Sequence, residues 1–202
     1  ITAIASRDLR KARDAAEANA IICGLSKGAR TIVKSKSMTT EETHLNTALE
    51  AAGMQVVETD LGEYIIQLAD EPPSHIIAPA IHKTRGQVSE LFTSELGAPP
   101  TDDIAQLTGT ARVTLRDRFA AADVGISGVN FAIAETGTIV MIENEGNIRL
   151  TTSLPRMHIA VMGIEKVIPR FADLEVFLKI LPRSATGQRL STYQSFITGA
   201  KR

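Results

Sequence analysis

Strand-like and helix-like segments alternate along this chain. That alternation predicts an α/β domain on a mixed, largely parallel sheet. Three observations carry the prediction. Short apolar runs at Thr31–Lys34, Met54–Glu58, Ser74–Ala78 and His158–Met162 are separated by segments with helical periodicity and capping residues. The stretch Gly125–Arg149, GISGVNFAIAETGTIVMIENEGNIR, holds two further runs, Val129–Ala134 and Thr138–Ile142, joined by Glu135-Thr136-Gly137. It reads as an antiparallel hairpin or two adjoining strands, with Gly137 free to take the positive φ of a tight turn. The 202 residues, 44% hydrophobic, suffice to bury the core of one globular domain.

The elements follow in order. Ser6–Gly24, rich in Ala and charge, reads as helix, with Ala15–Ile22 its clearest part and Arg7–Asp14 a solvated face. Residues 1–28 are thus an N-terminal helical segment ahead of one α/β domain over 29–202. After the strand Thr31–Lys34, Thr39 or Thr40 caps a helix with an acidic first turn, Glu41-Glu42, that runs to Ala52 and ends at Gly53. Gly62–Leu68 is a short helix, and Lys83–Leu96 an amphipathic one closed by Gly97 and Pro99-Pro100. In Asp102–Ala121, residues Ala105, Leu107, Ala111, Leu115 and Phe119 keep a helical period. Phe171–Ile180 and Ser184–Ile197 read as the last two helices.

Composition narrows the function. A formal net charge of -1 argues against a general nucleic-acid binder, and 4% aromatics with no Trp offers few bases a stacking platform. No apolar run approaches the ~20 residues of a membrane span. No signal peptide is visible, and a cytoplasmic setting is expected. The single Cys23 excludes a disulfide framework, an iron–sulfur cluster or a Cys-based zinc site held within this segment. His44, His75, His82 and His158 lack metal-ligand spacing, so no metal is expected.

The polar candidates gather after strands, where open α/β sheets bind ligands. Lys34-Ser35-Lys36-Ser37 precedes a helix and suits a carboxylate or phosphate, or is an ordinary loop with solvated lysines. Glu42 and Asn46, four apart, share a helix face. Asp60 is a helix cap or a ligand contact. Glu135, Glu143 and Glu145 are candidate acid/base or nucleophilic carboxylates, Glu135 and Glu145 the foremost. Alternatively they cap strand ends and pair with Arg149 or Lys166. Asn130, Asn144 and Asn147 either orient a ligand or satisfy turn backbone. Thr136, Arg149 and His82 complete the candidate ligand-binding set. Geometrically, Glu135, Asn130, Asn144, Glu145, Asn147 and Arg149 should face Lys34, Lys36, Glu42 and His82 across one site.

Five long motifs then point to a family. KSKSMTTEETHLN (Lys34–Asn46), ETDLGEYI (Glu58–Ile65), PPSHIIAPAIHK (Pro72–Lys83), GISGVNFAIAETGTIV (Gly125–Val140) and NEGNIRLTTSLPRMHIAVMGIEKVIP (Asn144–Pro169) together resemble the LUD domain. The likeness is to its form in the iron–sulfur subunit of bacterial L-lactate oxidation systems, and covers Ala29–Gly199. It implies a three-layer fold like that of glucosamine-phosphate deaminase, ribose-phosphate isomerase and the CoA transferases. It implies 4Fe-4S clusters for the complete protein, in a cysteine-rich ferredoxin-like region beyond this domain, and other lactate utilization subunits as partners. With no CxxCxxC before Arg202, the chain reads as the N-terminal part of a longer protein, and the stretch before Ala29 is shorter than the resemblance implies. The expected function is the non-redox part of a complex oxidising L-lactate to pyruvate, binding a small carboxylate or a partner subunit. The alternative is a carboxylate-dependent transferase or isomerase acting on an acyl-CoA or a sugar phosphate, which rests on fold analogy.

Overall fold

The computed structural model describes residues 2–5, 8–75 and 78–199. Two sheets organise them. The larger takes β1 (Thr2–Ala5), β2 (Asp8–Lys11), β3 (Thr31–Lys34), β4 (Gln55–Glu58), β5 (Val124–Gly128) and β8 (Met157–Met162), in the order β2-β1-β8-β5-β3-β4. The four strands β8, β5, β3 and β4 are mutually parallel, and β1 runs antiparallel to both its neighbours. The smaller sheet takes β6 (Phe131–Ile133), β7 (Thr138–Glu143), β9 (Val167–Ile168) and β10 (Tyr193–Thr198), in the order β10-β7-β6-β9.

Strand alternation sorts the core. Ile32, Val56, Ile126 and Ile159 point to one face, where Ile22 of α1 (Ala15–Leu25) and Leu45 and Leu49 of α3 (Leu45–Ala51) cover them. Val33 and Val57 point to the other face. There they meet α4 (Leu61–Leu68), α5 (Arg85–Leu96) and α6 (Ile104–Ala121) through Tyr64, Phe92 and Leu115. The small sheet lies against the rest of that face: Ile139 and Met141 pack with Ala160 and Met162 of β8. Its reverse side, with Val140 and Ile133, is closed by Leu174 at the start of α8 (Leu174–Thr186). This is the expected three-layer mixed α/β architecture.

Several elements differ from the sequence reading. Asp8–Lys11 is a strand, and the helix begins at Ala15 behind its cap Asp14. The helix expected over residues 39–52 is two: α2 (Met38–Glu42), whose N-cap position is Ser37, and α3, separated by His44 at φ 52. That break takes Glu42 and Asn46 off any common face. Of the strand expected at Ser74–Ala78, Ser74 and His75 form a bend and Ala78 is irregular, while Ile76 and Ile77 lie outside the described residues. Of the run expected over Val129–Ala134, β6 takes Phe131–Ile133, and Val129-Asn130 separates it from β5, a strand not foreseen just before it. The helix expected over Ser184–Ile197 ends α8 at Thr186, where Gly187 takes φ 72, and β10 pairs antiparallel with β7 instead. A helix not foreseen, α7 (Asn147–Ser153), packs on β5.

Candidate active site

Three parallel strands and one antiparallel strand end at the same place. The carboxyl ends of β3, β4 and β5 release the loops 35–37, 59–60 and 129–130, and β7 arrives beside them at Glu143. Between these loops lies a cavity of about 480 Å³. Lys36, Ser37, Glu42, Asn130, Asn144, Glu145 and Asn147 line it, so both sides of the sequence-predicted site contribute. Asp60, Glu143, Glu165 and Lys166 join them.

Two glycines let the walls come this close. A Cβ on Gly128 would stand 2.8 Å from Ser37 Oγ, so the end of β5 admits α2 only as glycine. A Cβ on Gly125 would stand 1.9 Å from the Thr151 carbonyl, which is how α7 reaches β5. The helix α7 is held by Glu143, whose two oxygens accept from the backbone N–H of Ile148 (2.7 Å) and Arg149 (2.9 Å). A carboxylate at a helix N-terminus is favourable. Burial nonetheless raises Glu143 from its ordinary value.

Asp60 occupies the N-cap position of α4 without acting as its cap. Its Oδ2 instead accepts the Lys36 backbone N–H at 2.7 Å, across to the β3 loop. Burial raises its carboxyl to about 6, with the Lys36 hydrogen bond opposing and the Glu63 charge adding. Asn147 donates to it and to Thr59 Oγ1 (3.3 Å). Glu145 stands at the rim; partial burial of its carboxyl and the charge of Asp60 raise it, against the Leu61 backbone N–H. The Lys36 ammonium is paired with Glu63. Asn130 Oδ1 accepts from the Ile142 N–H at 2.8 Å, which knits the start of β6 to β7.

Beneath the cavity, Lys34 is 1% exposed and pairs with Glu58 at 2.8 Å, with Thr40 Oγ1 at 3.3 Å from the ammonium. Asn46 donates to the same Glu58 oxygen at 2.7 Å, and Glu58 Oε2 is buried without a partner. Lys34 and Ser35 therefore lie under the site rather than in its wall.

The remaining candidates lie elsewhere. Glu135 and Thr136 sit in the turn at the opposite end of the hairpin. Glu135 accepts the Phe171 N–H at 2.9 Å, and Thr136 donates to Thr138. Arg149 lies over the Tyr193 ring, 5.6 Å from its centroid. Asn144, though at the cavity, is bonded to the segment before β10: its Oδ1 accepts from Thr192 N–H (2.9 Å) and its amide donates to Gln188 (3.3 Å). His82 closes its own loop, between Ser74 Oγ (2.7 Å) and Glu71 (2.8 Å). The fold thus joins seven of the predicted residues and separates Glu135, Thr136, Arg149 and His82 from them. Asp60 had its signal in the sequence, an acid directly after a strand; Glu165 had none.

Among the described residues no three His, Cys, Asp or Glu side chains are placed to hold a metal ion. Nor is any described helix long and apolar enough to cross a membrane. Cys23 is half-buried on α1, 3.7 Å from the Ala48 carbonyl, and burial raises its thiol.

Comparison with known proteins matches residues 9–202 to the family model described as LUD domain. Lactate utilization protein B of Anoxybacillus flavithermus is 50% identical over 193 residues, covering 94% of this chain and 41% of that protein. The proteins of the same name in Geobacillus thermodenitrificans and Oceanobacillus iheyensis are 51% and 50% identical, each over 94% of this chain and 40% of their own length. The chain therefore spans about two-fifths of the curated relatives it matches. No solved structure gives a significant match.

Proposed function

We propose that this chain, which belongs to the LUD domain family, serves lactate utilization by binding a small carboxylate in the cleft between β3, β4, β5 and β7. The observation that carries this reading is the cavity itself. It opens at the carboxyl ends of three parallel strands and gathers two ammonium groups, amide side chains and a carboxyl poised near neutrality. Lys36 and Lys166 bring the two ammonium groups of the wall, each beside a carboxylate, Glu63 and Glu165 respectively. The amides of Asn130 and Asn147 lie within the same wall to orient a hydroxyl or keto oxygen. Asp60 is the group able to hold or release a proton there. A three-carbon acid fills only part of about 480 Å³, which leaves room for a group from a partner subunit of the lactate system.

Iron–sulfur clusters, implied for the complete protein by the family likeness, need several thiolates. These 202 residues have one, Cys23, and it is half-buried on α1, so the chain does not fit a cluster and no step is routed through one.

The test is a thermal-shift and calorimetric titration of this chain with L-lactate, pyruvate and acetate. A saturable rise in Tm with lactate or pyruvate, abolished in Lys36→Met, is the expected result. No shift with either acid at millimolar concentration would overturn the reading. A second reading, a carboxylate-dependent transferase or isomerase, draws on the raised Glu145 carboxyl beside Asp60. Turnover of an acyl-CoA or sugar phosphate that Glu145→Gln abolishes would favour it.

A further inference from the structure

The cleft has a charge problem for an anion. Five carboxylates line it, from Glu42, Asp60, Glu143, Glu145 and Glu165, against the ammonium groups of Lys36 and Lys166. Those cations are already engaged. Lys36 is paired with Glu63, and Lys166 stands 3.7 Å from Glu165. Glu143 is tied to the N-terminus of α7. An entering carboxylate therefore meets Asp60 and Glu145, the first of which already raises the second, with no unengaged cation among the lining residues. Like charges in a cleft of reduced dielectric do not all stay ionised, and the counter-ion available in water is a proton.

We propose that the cleft takes up a monocarboxylate anion together with one proton, seated on the Asp60 carboxyl where it faces Glu145. This rests on the carboxylate reading above and adds the ligand's charge partner to it. Position selects Asp60 over its neighbours. The charged and polar groups that interact with it come from five segments: Lys36 from the β3–α2 loop, Glu58 from β4, Glu63 from α4, Glu145 from the β7–α7 loop, which shares the cavity wall, and Asn147 from α7. Three of those are carboxylates. The Asp60 side chain caps no helix, and it receives the Lys36 N–H on Oδ2. Once protonated, its O–H donates to an anion in the cleft, which turns the repelling group into a binding one. Burial already holds that carboxyl near neutrality, at about 6, so the uptake falls in the physiological range.

The experiment is calorimetric titration of this chain with pyruvate, whose own carboxyl stays ionised, in two buffers of different ionisation enthalpy. Between about pH 7 and 8 the expected result is uptake approaching one proton per anion, with Kd rising about tenfold per pH unit. In Asp60→Asn, a neutral side chain of the same shape, binding persists, the buffer dependence disappears and the pH profile flattens. Pyruvate binding to the wild type without proton uptake overturns the proposal, whatever the variant does. Uptake that survives in Asp60→Asn overturns the assignment to Asp60. Absence of pyruvate binding even at about pH 6, where the carboxyl is substantially protonated, overturns the carboxylate reading of the cleft itself, an outcome distinct from the other two.

Discussion

The carboxylates that are clearly shifted from their ordinary values fall into two populations that differ in sign. Around the cleft, Asp60, Glu63, Glu143 and Glu145 are all raised from their ordinary values, and burial is the leading cause for each. On the outer surface, Glu17, Glu71, Asp123, Asp173 and Glu175 are all lowered, each led by a hydrogen bond: from Arg13, Lys83, Arg30, Arg170 and Lys179 respectively. The outer group fastens turns and helix ends, and ionisation helps it do so. The cleft group is held where ionisation is opposed. Structure alone gives little reason to gather acids under that penalty at the ends of parallel strands, and perturbed groups concentrate where ligands are handled.

The largest effect is expected from the ion pair beneath the cleft. Lys34→Met leaves Glu58 buried with only the Asn46 amide on its carboxylate. Breaking one side of a buried pair costs about 3–5 kcal/mol. Urea unfolding should show that loss, and the double change Lys34→Met with Glu58→Met should recover much of it. A single variant as stable as the parent would mean that water reaches the pair, and the contrast between the two populations would weaken.

Next comes Asp60 itself. A folded value of about 6 lies above the ~3.9 of a free aspartate. As pH rises the unfolded chain releases this proton first, so the fold loses stability between about pH 4 and 6, and the penalty is complete above that window. Asp60→Asn removes it. The variant should be more stable than the parent at pH 7, by on the order of 1–3 kcal/mol, and equal to it below about pH 4. Thermal melts at the two pH values check this. A variant less stable at pH 7 would make Asp60 a structural member and remove it from the cleft population.

These residues also mark how far sequence carries. The strands β3 and β4 and the helices α4, α5 and α6 were legible because β-branched runs, capping residues and apolar periods agree there. The strand β5, at the centre of the site, was not: Val124–Gly128 carries two glycines and a serine, which score poorly as strand. Gly125 and Gly128 are nonetheless required by the approach of Thr151 and Ser37. The helix α7 has no apolar period, and its start depends on Glu143 folding back from β7. In the C-terminal segment a glycine signal was present: Gly187 ends α8, and the half-buried Ser195 and Ile197 alternate as a strand does. For the site, position after a strand found Lys36 and Ser37. It misplaced Glu135 and His82, because sequence does not say which end of a hairpin or which side of a loop a residue faces.

The smallest expected effect sharpens the comparison most. Glu71 accepts from the Lys83 ammonium at 2.5 Å and from His82 at 2.8 Å, and these bonds lower it. A lowered value means that its stabilisation is present above the unfolded value of ~4.3 and is lost as pH falls through the folded one. Glu71→Gln should therefore lose a little stability at neutral pH, and the difference should close in acid. That is the reverse of Asp60→Asn, whose gain also closes in acid but with opposite sign. Salt separates the two further. The exposed Glu71 pair is screened, so added salt should erase its difference, whereas the Asp60 penalty comes from burial and should persist. If Glu71→Gln gained stability at pH 7, or if salt erased both effects alike, exposure would not be what divides these carboxylates. The cleft acids would then be ordinary surface charges that happen to stand close together.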